Sequence, residues 1–451
     1  MQTSEEVSSP FNRVALFLAS LTILTSSFDI FLAVQVGGTY RLCQIAAAFL
    51  FVIAVLKVRR SGVIPVLGAV PLIIWSMFQV FFMSVSAFWP KSLAYCVWLT
   101  LNLGMMFSFV QLFGSNPRLL SIVLRFYAVS FALVGMFGVF QVVLPLIGLP
   151  APLVEQWWIA GRLARANGFS YEPSYFATYL LLGVVFTGSL RRAPSSVLSN
   201  RKLVVIYWIC VAGIVASSSR MGIVMLLLDF VLQGASPWLT FIRQLFQRRI
   251  VFKTARALIP SLALLGVFSL LTLQTIRFLE SDPLIALMFL NGTGLSNTAA
   301  HSVIQREGAL DDTLEVFMEH PVIGQSLGGV SIAIAGLHGE SITSFEASKE
   351  FEGMNVFAEA LAASGVVGII PFVAFLCATI WRPLKQATLS NPFYRDLLRS
   401  LVRSLLFGWM ALQFNQNMLR PYLWVHIALL ACVYNAARLN APAEAARTSQ
   451  A

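Results

Sequence analysis

Apolar residues fall in long, nearly uninterrupted runs along most of the chain, and short polar turns separate the runs. Twelve of the runs approach or exceed the ~20 residues that a helix needs to cross the hydrocarbon core of a bilayer. The seventh and eighth runs are short and adjacent. Two broken or tilted helices are an alternative description of that region. The pattern predicts an all-α integral membrane protein with about twelve transmembrane helices. The runs cover residues 14–35, 42–57, 63–87, 92–113, 119–147, 171–189, 203–217, 220–235, 257–277, 355–380, 399–418 and 421–438.

One long polar stretch interrupts this pattern, between the ninth and tenth predicted helices. Residues 278–354 hold eleven Asp and Glu against Arg306 and Lys349, together with three of the four histidines. The chain therefore divides into helices 1–9 over residues 1–277, one large loop over 278–354, and helices 10–12 with a polar tail over 355–451. We expect the water-facing chemistry in this loop or at the helix ends beside it.

Composition and charge agree with a membrane protein and give it an orientation. Hydrophobic residues make up 58% of the chain and charged residues 11%, far below the charged fraction of soluble domains. Lys and Arg concentrate in alternate loops, as the positive-inside bias expects. This predicts cytoplasmic termini and a periplasmic loop. Because the basic residues are scattered over membrane-flanking loops, the net charge of +11 does not point to nucleic acid as a partner.

Candidate chemistry begins where the even-numbered helices start, at the predicted outer face. A helix N-terminus favours anions through its unpaired N–H groups and its dipole. Any one arginine at such an end is better explained as an interface anchor, but three in one leaflet favour a phosphate or pyrophosphate site. The three ends carry Arg165 with Glu172 and Pro173, Ser217 to Ser219 with Arg220, and Arg420 with Pro421.

The large loop contains a helical pattern and a turn, and it predicts no metal site. Leu310, Leu314 and Phe317 recur at helical spacing between Arg306 and His320, and Gly324 to Gly329 is glycine-rich and predicts a turn. His301, His320 and His338 are too irregularly spaced for a zinc motif. The five cysteines all fall inside apolar runs. We therefore predict neither a metal nor a cofactor.

Four short stretches, in this order, resemble the bacterial O-antigen ligase and polymerase superfamily. These are membrane glycosyltransferases that use polyprenyl-pyrophosphate-linked glycans. The likeness covers most of residues 160–370, with the large loop in the expected place. The stretches are Arg165-Ala166-Asn167-Gly168-Phe169-Ser170-Tyr171-Glu172-Pro173-Ser174, Ser219-Arg220-Met221-Gly222, His320-Pro321-Val322-Ile323-Gly324, and Asn355-Val356-Phe357-Ala358-Glu359 leading to Gly365-Val366-Val367-Gly368.

The resemblance implies a metal-independent transfer at the outer face of the bacterial inner membrane. Arginines of the serine-arginine motif and of the large loop would hold the donor pyrophosphate, which carries over to Arg220 and Arg306. Ligases of the family place a histidine just before the asparagine that opens the helix after the loop, and Met354 stands there in this chain. This departure favours a repeat-unit polymerase over a ligase, with His338 as a substitute histidine.

The expected reaction needs a charge clamp and a general base. We predict Arg165, Arg220, Arg306 and Arg420 as ligands of the pyrophosphate of undecaprenyl-linked glycan. The candidate bases are Glu172, His338 and Glu359, in that order. A structural ion pair between Glu172 and Arg165 is the competing explanation of Glu172. Besides the lipid-linked glycan and the bilayer, the resemblance implies a chain-length regulator as a partner.

A polysaccharide flippase or another transporter is the main competing class, because it would also be basic and twelve-helical. Such a protein is expected to place ionisable groups near the middle of the membrane. Asp29 is the best candidate for such a group, and Asp229 is expected near the cytoplasmic end of its helix. Two isolated acids and one dominant outer loop favour an outer-face enzyme.

Overall fold

A computed structural model describes residues 9–35, 39–193, 197–246, 297–414 and 418–448. The predicted ninth helix, residues 257–277, lies outside these residues, as does the first part of the large loop, residues 278–296. The helices that the structure describes are α1 (Pro10–Thr25), α2 (Leu42–Ser61), α3 (Ala69–Phe81), α4 (Trp89–Phe113), α5 (Pro117–Leu146), α6 (Pro173–Leu190), α7 (Asn200–Ser217), α8 (Arg220–Phe246), α9 (Asn297–Glu319), α10 (Val330–Leu337), α11 (Val356–Thr388), α12 (Pro392–Ala411) and α13 (Pro421–Thr448). Three short 3-10 turns cover Met83–Val85, Ala347–Phe351 and Leu412–Phe414.

The described part of the chain contains seven helices that are long and apolar enough to cross a membrane: α2, α4, α5, α6, α7, α11 and α13. Two shorter apolar helices, α1 and α3, accompany them. The prediction of a helical multi-pass membrane protein is confirmed at this level, whereas the structure does not establish twelve crossings. Helix α6 and the apolar part of α13 lie at the centre of the bundle, because 89% and 83% of their residues are buried.

Two hairpins of short antiparallel strands depart from a purely helical chain. Strand β1 (Ala33–Gln35) pairs with β2 (Thr39–Arg41), and β3 (Gln156–Ile159) pairs with β4 (Leu163–Arg165). Both hairpins lie between helices, at polar helix ends. Their strand pairing satisfies backbone N–H and C=O groups that are no longer bonded within a helix. The second hairpin carries Arg165 at its end.

The first predicted run, residues 14–35, is wrong in its extent, since α1 already ends at Thr25. The chain then turns, and the amides of Asp29 and Ile30 donate to the carbonyl of Phe169 at 2.8 and 3.1 Å. These bonds hold Asp29 at the helix end, whereas an uninterrupted helix would have placed it deep in the bilayer. Tertiary contacts of the polar end therefore shorten α1.

The seventh and eighth runs form two separate helices, α7 and α8, with a tight connection at Ser218 and Ser219. Ser218 adopts a left-handed conformation with φ of 49°, and the Ser219 hydroxyl accepts from the amide of Gly222 at 3.4 Å. Ser219 therefore acts as the N-cap of α8, directly before Arg220. The two runs are short because the polar connection divides one long apolar region.

Helix α11 is broken at Gly365, and the polar loop fills the break. Beyond Gly365 the amides of Val366 and Val367 donate to the carbonyls of Pro321 and Val322 at 2.8 and 3.2 Å. Two bonds return from the turn to the first half of the helix, from Gln325 to Ala362 and from Ser326 to Ala363, both at 2.9 Å. The glycine-rich turn after Pro321 is therefore confirmed, and it locks the loop onto α11.

Candidate functional site

Helices α2, α4, α6, α8, α11 and α13 begin at one end of the bundle, as side-chain contacts between their first residues show. Lys91, in the first turn of α4, lies 3.5 Å from Glu352, which precedes α11. Arg41 and Arg420, just before α2 and α13, both contact Asp29. Arg165 donates to the carbonyl of Ser218, just before α8, at 3.4 Å. We call this end the polar end and define it by Asp29, Arg41, Lys91, Arg165, Glu172, Tyr175, Glu352, Glu359 and Arg420.

A buried cluster of one carboxylate and two arginines lies at the centre of the polar end. Arg41 Nε donates to Asp29 Oδ1 at 2.7 Å, and Arg420 Nη1 contacts Asp29 Oδ2. The side chains of Asp29 and Arg420 are 3% and 4% exposed. Burial lowers the pKa of Arg420, but the charge of Asp29 raises it more strongly in combination with nearby tyrosines, so the net direction is upward. Two guanidinium groups against one carboxylate leave a positive charge in excess, which favours an anion nearby.

Tyr175 joins this cluster to the start of α6. The guanidinium carbon of Arg420 lies 3.7 Å from the centroid of the Tyr175 ring, a cation–π contact. Glu172 stands one turn earlier, at the N-cap position. Its exposed carboxylate accepts from the Ser174 hydroxyl at 2.9 Å. Glu172 also interacts electrostatically with Tyr175, so the carboxylate and the arginine cluster share one region.

Arg165 is held by its own hairpin and by the connection before α8. Its Nη1 donates to Gln156 Oε1 at 2.8 Å, and its guanidinium carbon lies 5.0 Å from the centroid of the Trp158 ring. Its buried Nε has no hydrogen-bond partner among the described residues. Burial lowers the pKa of Arg165, the like charge of Arg220 lowers it further, and Glu172 raises it. Arg165 hydrogen-bonds to Gln156 and Ser218, and no ion pair to Glu172 is formed between these two described residues.

A second group of polar residues extends the site toward the large loop. The Tyr95 hydroxyl donates to Glu352 Oε1 at 2.9 Å, and Lys91 Nζ lies 3.5 Å from the same oxygen. Glu359 interacts electrostatically with both Glu352 and Lys91, and Glu352 also interacts with Tyr175. Glu359 therefore lies within electrostatic range of this second group of polar residues.

Lys91, Tyr95, Tyr175 and Glu352 are members of the site that the sequence did not single out. One signal was present for Lys91, because it follows Trp89 and Pro90 at the start of an apolar run in which other cations are absent. It is 2% exposed and donates to Ser331 Oγ at 2.7 Å. The large loop holds the Lys91 side chain in place. A contact between such distant segments leaves no signal in the local sequence pattern.

His338, another predicted site residue, contacts side chains outside this constellation. His338 follows α10, is half exposed, and has Asp312 as its partner, with 3.0 Å between Nε2 and Oδ2. Its ring also lies 6.0 Å from that of Phe351. Arg306 belongs to α9, and its side chain is outside the described residues. The structure thus brings together Arg165, Arg220, Arg420, Glu172 and Glu359.

Among the described residues, no group of three or more His, Cys, Asp or Glu side chains is arranged to hold a metal ion. The chemical groups of the polar end are guanidinium groups, the Lys91 ammonium, helix N-termini and carboxylates. Together these can bind a polyanion and take a proton from a hydroxyl group. In comparison with known proteins, no family model matches the chain. No curated protein matches it either.

Proposed function

We propose that this chain is a membrane glycosyltransferase that polymerises repeat units carried on undecaprenyl pyrophosphate, at the periplasmic face of the bacterial inner membrane. The observation that carries the proposal is the convergence of helix starts, guanidinium groups and carboxylates at the polar end. A pyrophosphate donor needs positive charge, and a sugar hydroxyl needs a base within reach. The motifs around Arg165, Arg220, His320 and Asn355 resemble those of the O-antigen ligase and polymerase superfamily.

In the proposed reaction, the acceptor hydroxyl attacks the anomeric carbon of the donor glycan and the bond to the pyrophosphate oxygen breaks. Arg220 and Arg165 bind the departing pyrophosphate and offset the charge that develops on it. Arg420 pairs with Asp29 and packs against the Tyr175 ring. Together with Arg41 it leaves the cluster one positive charge in excess, which attracts the pyrophosphate. The proton of the acceptor hydroxyl passes to Glu172, Glu359 or His338.

The proposal includes the full topology. Helices α1, α3, α8 and α12 and the segment 257–277 are taken to cross the membrane with the seven long apolar helices, which gives twelve crossings and cytoplasmic termini. The loop over residues 278–354 then lies in the periplasm. A chain-length regulator would contact the protein in the same membrane.

The ion pairs formed by two buried acids argue against the transporter alternative. Asp29 is neutralised by Arg41 and Arg420, and Asp229 pairs with Arg403 at 2.8 Å. An acid that carries a proton or ion across the membrane must be able to release its counter-ion. Both acids instead have fixed partners near the ends of the bundle, where they hold helices together.

The O-antigen ligase alternative differs in the acceptor and is separable by its product. The full-length protein would be reconstituted in vesicles with the lipid-linked repeat units of its source organism. A polymerase yields a ladder of longer glycans that remain on undecaprenyl pyrophosphate. Transfer to added lipid A core, without a ladder, would support a ligase. Movement of lipid-linked units across the vesicle bilayer with no new covalent product would support a flippase and refute the proposal.

A further inference from the structure

A second cluster of arginines lies at the opposite end of the bundle. A cleft of about 400 Å³ opens between the end of α6 and the first half of α12, and its lining includes Arg192, Arg395, Asp396, Arg399, Ser400 and Arg403. Because Tyr175 and Arg192 stand at opposite ends of the 18-residue helix α6, about 27 Å separates the cleft from the polar end. The cleft is therefore independent of the proposed catalytic site.

Helical periodicity on α12 builds most of the cleft. Arg395, Arg399 and Arg403 are spaced by four residues, which places them along one face of the helix. The same face continues toward the middle of the bundle with Leu406 and Met410, which are 39% and 40% exposed. A stripe of cations that passes into exposed apolar side chains matches the order of a phosphate headgroup and its acyl chains.

Two of the arginines are fixed at the back of the cleft by residues of α8. Arg403 Nη2 donates to Asp229 Oδ1 at 2.8 Å, and Arg192 Nη2 donates to Gln233 Oε1 at 2.5 Å. Gln233 in turn donates to Asp229. Burial lowers the pKa of Arg192, and the neighbouring charges of Arg191 and Arg403 lower it further. The network therefore holds like charges together, an arrangement that a bound anion would stabilise.

The net charge of the cleft and one carboxylate oxygen indicate which second chemical group the bound anion carries. Four lining arginines against Asp396 and Asp229 leave two positive charges in excess. Asp396 Oδ1 accepts from Arg395 Nε at 3.2 Å, whereas its buried Oδ2 accepts no hydrogen bond from any described residue. A carboxylate oxygen in an otherwise cationic cleft requires a donor. A hydroxyl group attached to the phosphate would supply it.

We propose that this cleft binds the headgroup of an anionic glycerophospholipid, with its phosphate on Arg192 and Arg399 and a headgroup hydroxyl on Asp396. The cleft lies on the side that the basic loops assign to the cytoplasm, where anionic lipids attract such clusters. Bound lipid would fasten α12 to α6 and α8. The lipid would thus stabilise the bundle from the side opposite the polar end.

The full-length protein in detergent is tested by native mass spectrometry and thermal unfolding with phosphatidylglycerol, phosphatidylcholine, phosphatidic acid or inorganic phosphate. We expect phosphatidylglycerol to stay bound and raise the unfolding temperature more than the others. Arg399→Gln and, independently, Arg395→Gln should each weaken its binding about tenfold or more. Arg382→Gln, which removes an exposed arginine of α11 outside the cleft, is the matched control and should bind normally.

Asp396→Asn tests the hydroxyl contact separately. It should reduce the preference for phosphatidylglycerol over phosphatidic acid, which lacks the glycerol headgroup and its hydroxyl groups. Equal binding by the wild-type protein and both arginine variants would overturn the proposal, as would equal stabilisation by phosphatidylcholine. Protection by inorganic phosphate at the same concentration would show a site for soluble phosphate instead of a lipid. A variant that loses its monodisperse elution is replaced by the other arginine variant.

Discussion

A Cβ atom on Gly365 would lie 2.3 Å from both the carbonyl carbon and the carbonyl oxygen of Val322. Gly365 also has a φ of 58°, which L side chains rarely adopt. The break in α11 therefore depends on a residue without a side chain. Val322 and Gly365 belong to the third and fourth of the stretches that resemble the O-antigen ligase and polymerase superfamily. In the structure both stretches form the joint between the large loop and α11.

We expect Gly365→Ala to destabilise the protein by at least about 2 kcal/mol, because it adds backbone strain to a steric clash with a fixed carbonyl. The measurement is the thermal unfolding midpoint in detergent, together with the yield of monodisperse protein. Gly336→Ala is the matched control, since nothing lies within 4 Å of the added Cβ. Equal stability of both variants would show that the interlock between α11 and the loop can relax.

Asp29→Asn should be strongly destabilising, because it leaves Arg41 and Arg420 buried without their counter-ion. Breaking a buried pair in this way costs about 3–5 kcal/mol. The exposed pair of Glu346 and Lys349 provides the control, and Glu346→Gln should change stability by about 0.5 kcal/mol or less. Unfolding midpoints of the two variants give the comparison. A stable Asp29→Asn protein would mean that Asp29 is not needed to offset the arginines.

Arg220→Ala should leave the protein folded and inserted but nearly abolish polymer, with single lipid-linked repeat units accumulating. Loss of a charge-assisted contact to the leaving group corresponds to about 3 kcal/mol of transition-state stabilisation, or roughly a hundredfold in rate. Arg220→Lys should remain impaired, because an ammonium lacks the planar donor fork. Polymer length on gels and the amount of single units are the readouts.

The control for Arg220 is Arg162→Ala, an exposed arginine in the hairpin that carries Arg165. It should leave polymer length and yield unchanged. Normal polymer from a well-expressed Arg220→Ala protein would assign this arginine to the role of an interface anchor. Loss of polymer in both variants would show a general sensitivity to surface charge.

The three candidate bases are separated by Glu172→Gln, Glu359→Gln and His338→Asn. Replacement of the residue that takes the proton should lower turnover about 10²-fold or more, because the new side chain cannot accept a proton. Glu172 is exposed at a helix start, whereas Glu359 lies in a buried network with Glu352 and Lys91. Initial rates at saturating lipid-linked donor are the measurement, and binding of the donor should be retained. Near-normal rates in all three variants would exclude these residues as the base.

The proposed orientation predicts which positions a membrane-impermeant thiol reagent reaches from the periplasm. Ser341 is exposed in the large loop and Ser61 is exposed at the end of α2. In a Cys377→Ser background, Ser341→Cys should be labelled in intact cells. Ser61→Cys should be labelled only after the cells are permeabilised. Ser326 is unsuitable for this experiment, since it is fully buried. The reverse pattern would contradict both the orientation and the outer placement of the polar end.

Apolar run length by itself determined the class of the protein and the approximate limits of most helices. Serine and proline signals also located the starts of α6, α8 and α13, because caps and proline geometry are local properties of the chain. Arg165, Glu172 and Arg220 were singled out for the same reason. These features need no knowledge of distant contacts.

The tertiary structure decided which charges meet. Arg420 pairs with Asp29 and Tyr175, which are hundreds of residues away in the chain, and Glu352 meets Lys91 and Tyr95 across a similar separation. Such pairs arise from the packing of helices that are not neighbours in sequence, so no local spacing encodes them. The early end of α1 and the break at Gly365 have the same origin, because hydrogen bonds to remote segments replaced those of a continuous helix.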